Sequence, residues 1–131
     1  MFPVSALIVD TSVWVEFFRG RPLPRLEQAL GDGDVVLPPI VAAEMVSAPL
    51  AANERRQLES FLRELPWAST PPEHWLRVGT LRAAAARKGL TVSTPDAHVA
   101  QVAVDLGGSV WSDDQVFARL AGKSLVRRFV P

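Results

Sequence analysis

Asp10 is set between an apolar run, "ALIV", and a segment that reads as the start of a helix, "TSVWVEFF". A carboxylate at such a junction must have a task or a partner, because burying its charge without compensation is costly. Most of the 14 acidic residues need no such account, since Glu27, Glu54, Glu59, Glu64, Glu73, Asp32 and Asp34 fall on polar helix faces or in turns. Four other places stand out. Glu44 interrupts "PPIVAAEMV", Asp96 heads a helix in "TPDAHVAQVA", and the pair Asp113 and Asp114 follows the strand-like "SVW". In an open parallel sheet, ligands collect at the carboxyl ends of the strands, which is where Asp10 and the Asp pair would emerge. Carboxylates gathered there repel one another, so a cluster implies a bound cation. An all-oxygen donor set suits Mg²⁺ or Mn²⁺, whose chemistry on phosphate esters is to generate hydroxide and to stabilise the leaving oxygen.

Each residue also has a plainer reading. Ser93 and Asp96 could form a capping box, Asp113 and Asp114 could favour a helix N-terminus, and Glu44 could project from an exposed edge. His74 and His98 lie among polar neighbours and read as surface residues. "GDGD" is a turn without the spacing of a phosphate-binding loop. The four tryptophans read as core and interface anchors rather than base-stacking platforms.

The elements that must hold these acids alternate. "SALIV" has the unbroken apolar character of a strand covered on both faces, followed by a helix capped by Ser or Thr and ended by Gly20. "PLPRLEQAL" carries Leu23, Leu26, Ala29 and Leu30 on one stripe. "VVL" reads as a strand, "PPIVAAEMVSA" as a helix with Pro39 in its first turn, and "ANERRQLESFLRELP" as an amphipathic helix closed by Pro66. "WAST" could be a short strand, "PPEHWLRVGTLRAAAARKG" a helix, and "LTVS" a strand or extended link. A helix capped by Thr94 and ended by Gly107 and Gly108 follows, then the strand "SVWS", the short helix "DDQVFARLAG" and a final strand "LVRRFV". Strands alternating with helices, without hairpin signals, predict an α/β fold with an open, mostly parallel sheet flanked by helices.

Composition sets the outer bounds. The 131 residues, 48% hydrophobic, suit a single domain spanning 1–131 with one core. The absence of Cys excludes disulfides and thiolate metal sites. The apolar run near the N-terminus is too short for a signal peptide or a membrane span, so a soluble, cytoplasmic protein is expected. Fourteen basic residues balance the 14 acidic ones, so no polyanion is held by global charge alone. Arg19, Arg21 and Arg25 near the expected cleft, and Arg127 and Arg128 in the last strand, are the candidate phosphate contacts.

Taken in order, "VDTSVWVEFF", the Glu of "PPIVAAEMV", "TPDAHVAQVA" and "VWSDDQVFARLA" resemble the PIN-domain family, specifically the VapC-type ribonuclease toxins of bacterial toxin–antitoxin pairs. The resemblance covers nearly the whole chain. It implies a PIN-like parallel sheet flanked by helices, four acids binding Mg²⁺ or Mn²⁺, cleavage of RNA, a homodimer and a cognate VapB-type antitoxin. Asp10, Glu44 and Asp96 match the first three acidic positions. The family usually shows Thr-x-Asp-x-Asp-Phe at the fourth. "SDDQVF" sets Ser112 at the Thr, Asp114 at the first Asp, Val116 in place of the second and Phe117 at the Phe. That register selects Asp114 as the fourth ligand, with Asp113 an extra neighbour facing solvent or capping the short helix. Ser12 and Ser112 match hydroxyl positions that support the metal-bound water.

The resulting expectation is a metal-dependent endoribonuclease in which a metal-activated water attacks a phosphodiester in line, leaving 5′-phosphate and 3′-hydroxyl ends. The alternative is a non-catalytic PIN-like module that docks RNA or protein while its acids serve structure. A phosphorelay receiver domain would need an Asp pair after the first strand, and a haloacid-dehalogenase-like phosphatase would need Asp-x-Asp; "VDTS" supplies neither.

Overall fold

Leu7–Val9 forms β1, buried at every residue in the computed structural model, which describes residues 6–131. Ser5, the expected first residue of this strand, lies outside the described residues. β1 pairs in parallel with β2, Ser109–Trp111, in the register Leu7 to Ser109, Ile8 to Val110 and Val9 to Trp111. Isolated parallel bridges extend the sheet on both sides, Leu7 with Val35, Leu37 with Trp67, and Val110 with Arg128. The spatial order is therefore Trp67, Val35 to Leu37, β1, β2, Arg128. Bonds such as Leu37 N–H to the Pro66 carbonyl (2.8 Å), Ala68 N–H to the Leu37 carbonyl (2.9 Å) and Phe129 N–H to the Val110 carbonyl (2.8 Å) tie the flanks. The sheet is parallel, as expected, but its outer members are shorter than the sequence implied: "VVL", "WAST" and "LVRRFV" contribute only isolated bridges, two for "VVL" and one for each of the others. "LTVS" forms no strand; its Val92 is buried and its carbonyl accepts a hydrogen bond from Arg82 Nε.

Seven helices occupy the described residues: α1 (Thr11–Phe18), α2 (Pro24–Gly31), α3 (Pro39–Val46), α4 (Ala52–Glu64), α5 (Pro72–Arg87), α6 (Thr94–Leu106) and α7 (Gln115–Gly122). Pro sits at the first or second position of α2, α3, α5 and α6, where its missing N–H costs nothing. Two caps differ from expectation. Asp10 holds the N-cap position of α1 but makes no cap bond, because its carboxylate is engaged elsewhere. Ser93, not Thr94, caps α6, its hydroxyl accepting from Asp96 N–H at 3.2 Å.

The core joins β1 and β2 to Trp14, Leu26, Val41, Leu62, Val78, Ala100, Phe117 and Leu120. α6 lies across the strands and packs against α5 in the most extensive helix pair. Gly108 is where the chain turns from α6 into β2, and a Cβ there would stand 2.1 Å from the Ala6 carbonyl oxygen. Only glycine lets the two backbones approach so closely. No helix among the described residues is long and apolar enough to cross a membrane.

Candidate active site

Because β1 and β2 run in parallel and in register, their carboxyl ends deliver Asp10 and Ser112 side by side. Ser112 Oγ donates to Asp10 Oδ2 at 2.7 Å, and the bond is buried. The same hydroxyl accepts from Asp114 N–H at 3.0 Å and lies 3.4 Å from Ser12 Oγ. Ser12 Oγ in turn accepts from Asp113 N–H at 3.1 Å. The two hydroxyls thus stitch the start of α1 to the turn before α7. A hydroxyl can do this since it donates once and accepts twice.

The remaining acids arrive from two helices. Glu44 projects from α3, exposed, and its Oε1 accepts from Thr11 Oγ1 at 3.0 Å. Asp96 stands half-buried on the first turn of α6. Thr11 was not singled out from sequence; the signal available was a hydroxyl directly beside Asp10, on the same helix start.

Electrostatics show which acids share one field. Burial pushes the Asp10 carboxyl above its ordinary value; the Ser112 hydrogen bond opposes this and the charge of Asp114 adds to it. Asp96 is raised as well, by burial first and then by repulsion from Asp114, Asp10 and Glu44. Asp10, Glu44, Asp96 and Asp114 therefore act through one field centred on Asp96, while Asp113 contributes to neither shift. Asp114, rather than Asp113, caps α7, its carboxylate accepting from Val116 N–H at 3.0 Å.

The donors fit a hard divalent cation in kind. All are oxygen, and among the described residues no Lys, Arg or His is ion-paired with any of the four. They do not form a closed cage: among the described residues no three His, Asp or Glu side chains converge tightly enough to hold an ion by themselves.

Other sequence-based expectations change. His74 and His98 are not surface residues; both are fully buried between α5 and α6. His74 Nδ1 lies 2.9 Å from Asp105 Oδ2, and His74 Nε2 lies 2.8 Å from His98 Nδ1. Around His74 the polar neighbours Glu73 and Arg77 are exposed while the imidazole turns inward, and His98 lies in a stretch, Ala97 to Ala103, that is buried throughout. Burial, with His74 adjacent, lowers His98 to about 4, so its ring is neutral. Arg25 is not near the acids: it lies over the Phe129 ring and lines a hollow with Leu7 and Ser109 at the amino ends of the strands. Arg21 pairs with Glu16 at 2.8 Å. Of the three arginines in that stretch, Arg19 reaches the acidic side, lining a groove of about 600 Å³ with Thr11, Glu44, Phe18, Met45 and Leu58. Trp14 and Trp111 are buried, whereas Trp67 and Trp75 are partly exposed.

This geometry can be set beside known proteins. Several solved structures share the fold over nearly their full length. A chain of DNA-bound VapBC from Salmonella typhimurium is 22% identical with a TM-score of 0.75, covering 95% of this chain and 97% of that one. VapBC-1 from nontypeable Haemophilus influenzae is 14% identical with a TM-score of 0.75, covering 95% and 96%. FitAcB from Neisseria gonorrhoeae is 22% identical with a TM-score of 0.69, covering 95% and 97%. No curated protein sequence matches. The family model described as "PIN domain" aligns with residues 7–123, from β1 through α7, and the chain belongs to the PIN-domain family.

Proposed function

We propose that this PIN domain is a divalent-metal-dependent endoribonuclease and the toxin of a type II toxin–antitoxin pair. The observation that carries the reading is the set of four acids, Asp10, Glu44, Asp96 and Asp114, in which Asp96 is repelled by the other three, at the carboxyl edge of a parallel sheet with no cation paired to them among the described residues. A divalent ion, Mg²⁺ or Mn²⁺, supplies when bound the positive charge that acidifies water and stabilises charge building on phosphate oxygens. Asp10, held by Ser112, is the buried anchor of the site, and Asp96, Asp114 and Glu44 complete the ligand set around it. Ser112 and Ser12 fix the Asp10 and Asp114 segments relative to each other, so that the carboxylates are oriented before substrate arrives. Arg19 stands where an RNA phosphate approaching the acids would meet it.

The solved structures of similar fold include one described as a member of the VapBC family of toxin-antitoxin systems, from Mycobacterium tuberculosis, which supports a VapB-type antitoxin as partner. The groove beside Glu44, apolar along Phe18, Met45, Leu50 and Leu58, suits an antitoxin segment that also places a cation among the acids. Exposed Trp75, Leu76 and Val104 offer apolar surface for a homodimer. A second reading, a non-catalytic RNA- or protein-binding module, draws on the absence of a ready-made three-ligand cage among the described residues. One experiment separates the two. Calorimetry with Mn²⁺, paired with mapping of the 5′ ends of RNA incubated with the protein, should show metal binding and 5′-phosphate cleavage products. Asp10→Asn should weaken binding at least tenfold and abolish cleavage. A wild-type protein that neither binds Mn²⁺ nor cuts RNA is the binding module.

A further inference from the structure

The α5–α6 interface contains a polar chain that runs from the exposed Arg77–Asp105 pair to the buried His74 and His98 and that the metal site does not use. Arg77 Nε and Nη2 donate to Asp105 at 2.9 and 3.0 Å, and Gln101 Nε2 donates to Asp105 at 2.8 Å. Asp105 meets His74 at 2.9 Å, and His74 meets His98 at 2.8 Å. Its proton arrangement follows from the donors. Burial works against ionisation of Asp105, but the bonds from Arg77, His74 and Gln101 outweigh it and hold the carboxyl below its ordinary value. Asp105 is then an acceptor only, so His74 Nδ1 carries a proton. Across the Nε2–Nδ1 contact one ring donates and the other accepts. His98 Nε2 is buried with no hydrogen-bond partner among the described residues, an arrangement that costs stability.

His98 lies two residues beyond Asp96 on the same helix, and its directional bond fixes the rotation of α6 about its axis. The other buried side chains of α6 are mostly short, Ala97, Val99, Ala100, Val102 and Ala103, and tolerate a small rotation far better than a 2.8 Å hydrogen bond does. We propose that the His74–His98 pair, braced by Asp105, is a positioning device that sets the rotational phase of α6 and thereby aims Asp96 at Asp10 and Asp114. The pair acts on the metal site through Asp96 and touches no substrate. This inference rests on the metal-site reading above, and a measurement on the metal-free protein keeps the two separate.

The double variant His74→Leu/His98→Leu replaces both polar partners with apolar groups of similar size, so its melting temperature should stay near or above that of wild type. Asp105 keeps Arg77 and Gln101. If the pair positions Asp96, Mn²⁺ affinity should nonetheless fall roughly ten- to hundredfold, as for loss of groups that orient metal ligands. The Asp96 amide resonance of the metal-free protein should also shift. His98→Asn, which retains a hydrogen-bonding group at the Nδ1 position and removes the orphan nitrogen, should keep Mn²⁺ affinity within about threefold of wild type and leave that resonance in place. A double variant with wild-type Mn²⁺ affinity and an unmoved Asp96 amide overturns the proposal. If wild type binds no Mn²⁺, the metal reading fails, and the Asp96 amide alone decides positioning. If the double variant does not fold, Asp105→Asn at the outer end of the chain decides: a shifted Asp96 amide supports the proposal and an unshifted one overturns it.

Discussion

Ser112→Ala removes one oxygen on which three segments depend. The hydroxyl donates to a buried carboxylate, Asp10, at 2.7 Å and accepts from Asp114 N–H at 3.0 Å, with Ser112 itself 4% exposed. A hydrogen bond to a charged group is worth about 1.5–3 kcal/mol, and the Asp114 N–H is partly open to water and adds little, so the loss is about 2–3 kcal/mol. With an unfolding entropy of about 2.1 cal/mol/K per residue, the 131-residue chain should melt roughly 7–11 °C lower. The deficit should depend on pH in a defined direction. The Ser112 bond lowers the Asp10 pKa against the upward effect of burial, so removing it raises that pKa further. The destabilisation is therefore full where Asp10 is ionised and shrinks as pH falls through its raised value. Calorimetric melts at pH 8 and pH 4, with Ser112→Thr as the hydroxyl-retaining control, test this. Melting of Ser112→Ala within about 2 °C of wild type at both pH values would refute the reasoning, as would a larger deficit at the lower pH.

Three further outcomes are expected. Asp114→Asn should lower RNA cleavage roughly a hundredfold or more with the fold intact, whereas Asp113→Asn should retain most activity, since only Asp114 adds its charge to the Asp10 and Asp96 field; the reverse order in assays of the purified variants makes Asp113 the ligand. Asp10 has a raised pKa in the fold, so the stability it contributes is present below its ordinary value of 3.8 and is lost as pH rises through the raised one. Measured against Asp10→Asn without metal, wild type should lose ground with rising pH and regain it on adding Mn²⁺, and an opposite slope in thermal melts contradicts the assignment. Gly108→Ala should be severely destabilising, by about 3 kcal/mol or more, because its Cβ meets backbone at Ala6 rather than a side chain that can move; a melting temperature near that of wild type would show that the α6–β2 turn relaxes.

Local sequence determined a good part of this protein. The apolar run before Asp10, the Pro-initiated helices and the glycines after α6 each act over a few residues, so their consequences can be read without knowing what packs against them. The order of strand, acid and helix, repeated at Asp10 and at Asp114, was legible for the same reason. Tertiary structure decided the rest. Whether "VVL" or "LVRRFV" becomes a strand or only isolated bridges depends on how many ladder bonds a neighbour offers, and no residue encodes that alone. Ser112 could be placed beside the acids by motif, but only parallel registry of β1 with β2 makes it the donor to Asp10. Sequence position misled at His74 and His98, whose polar neighbours suggested a surface. Two histidines 24 residues apart become a buried hydrogen-bonded pair only when α5 and α6 pack, because a polar group is tolerated inside when a partner from another element arrives to satisfy it.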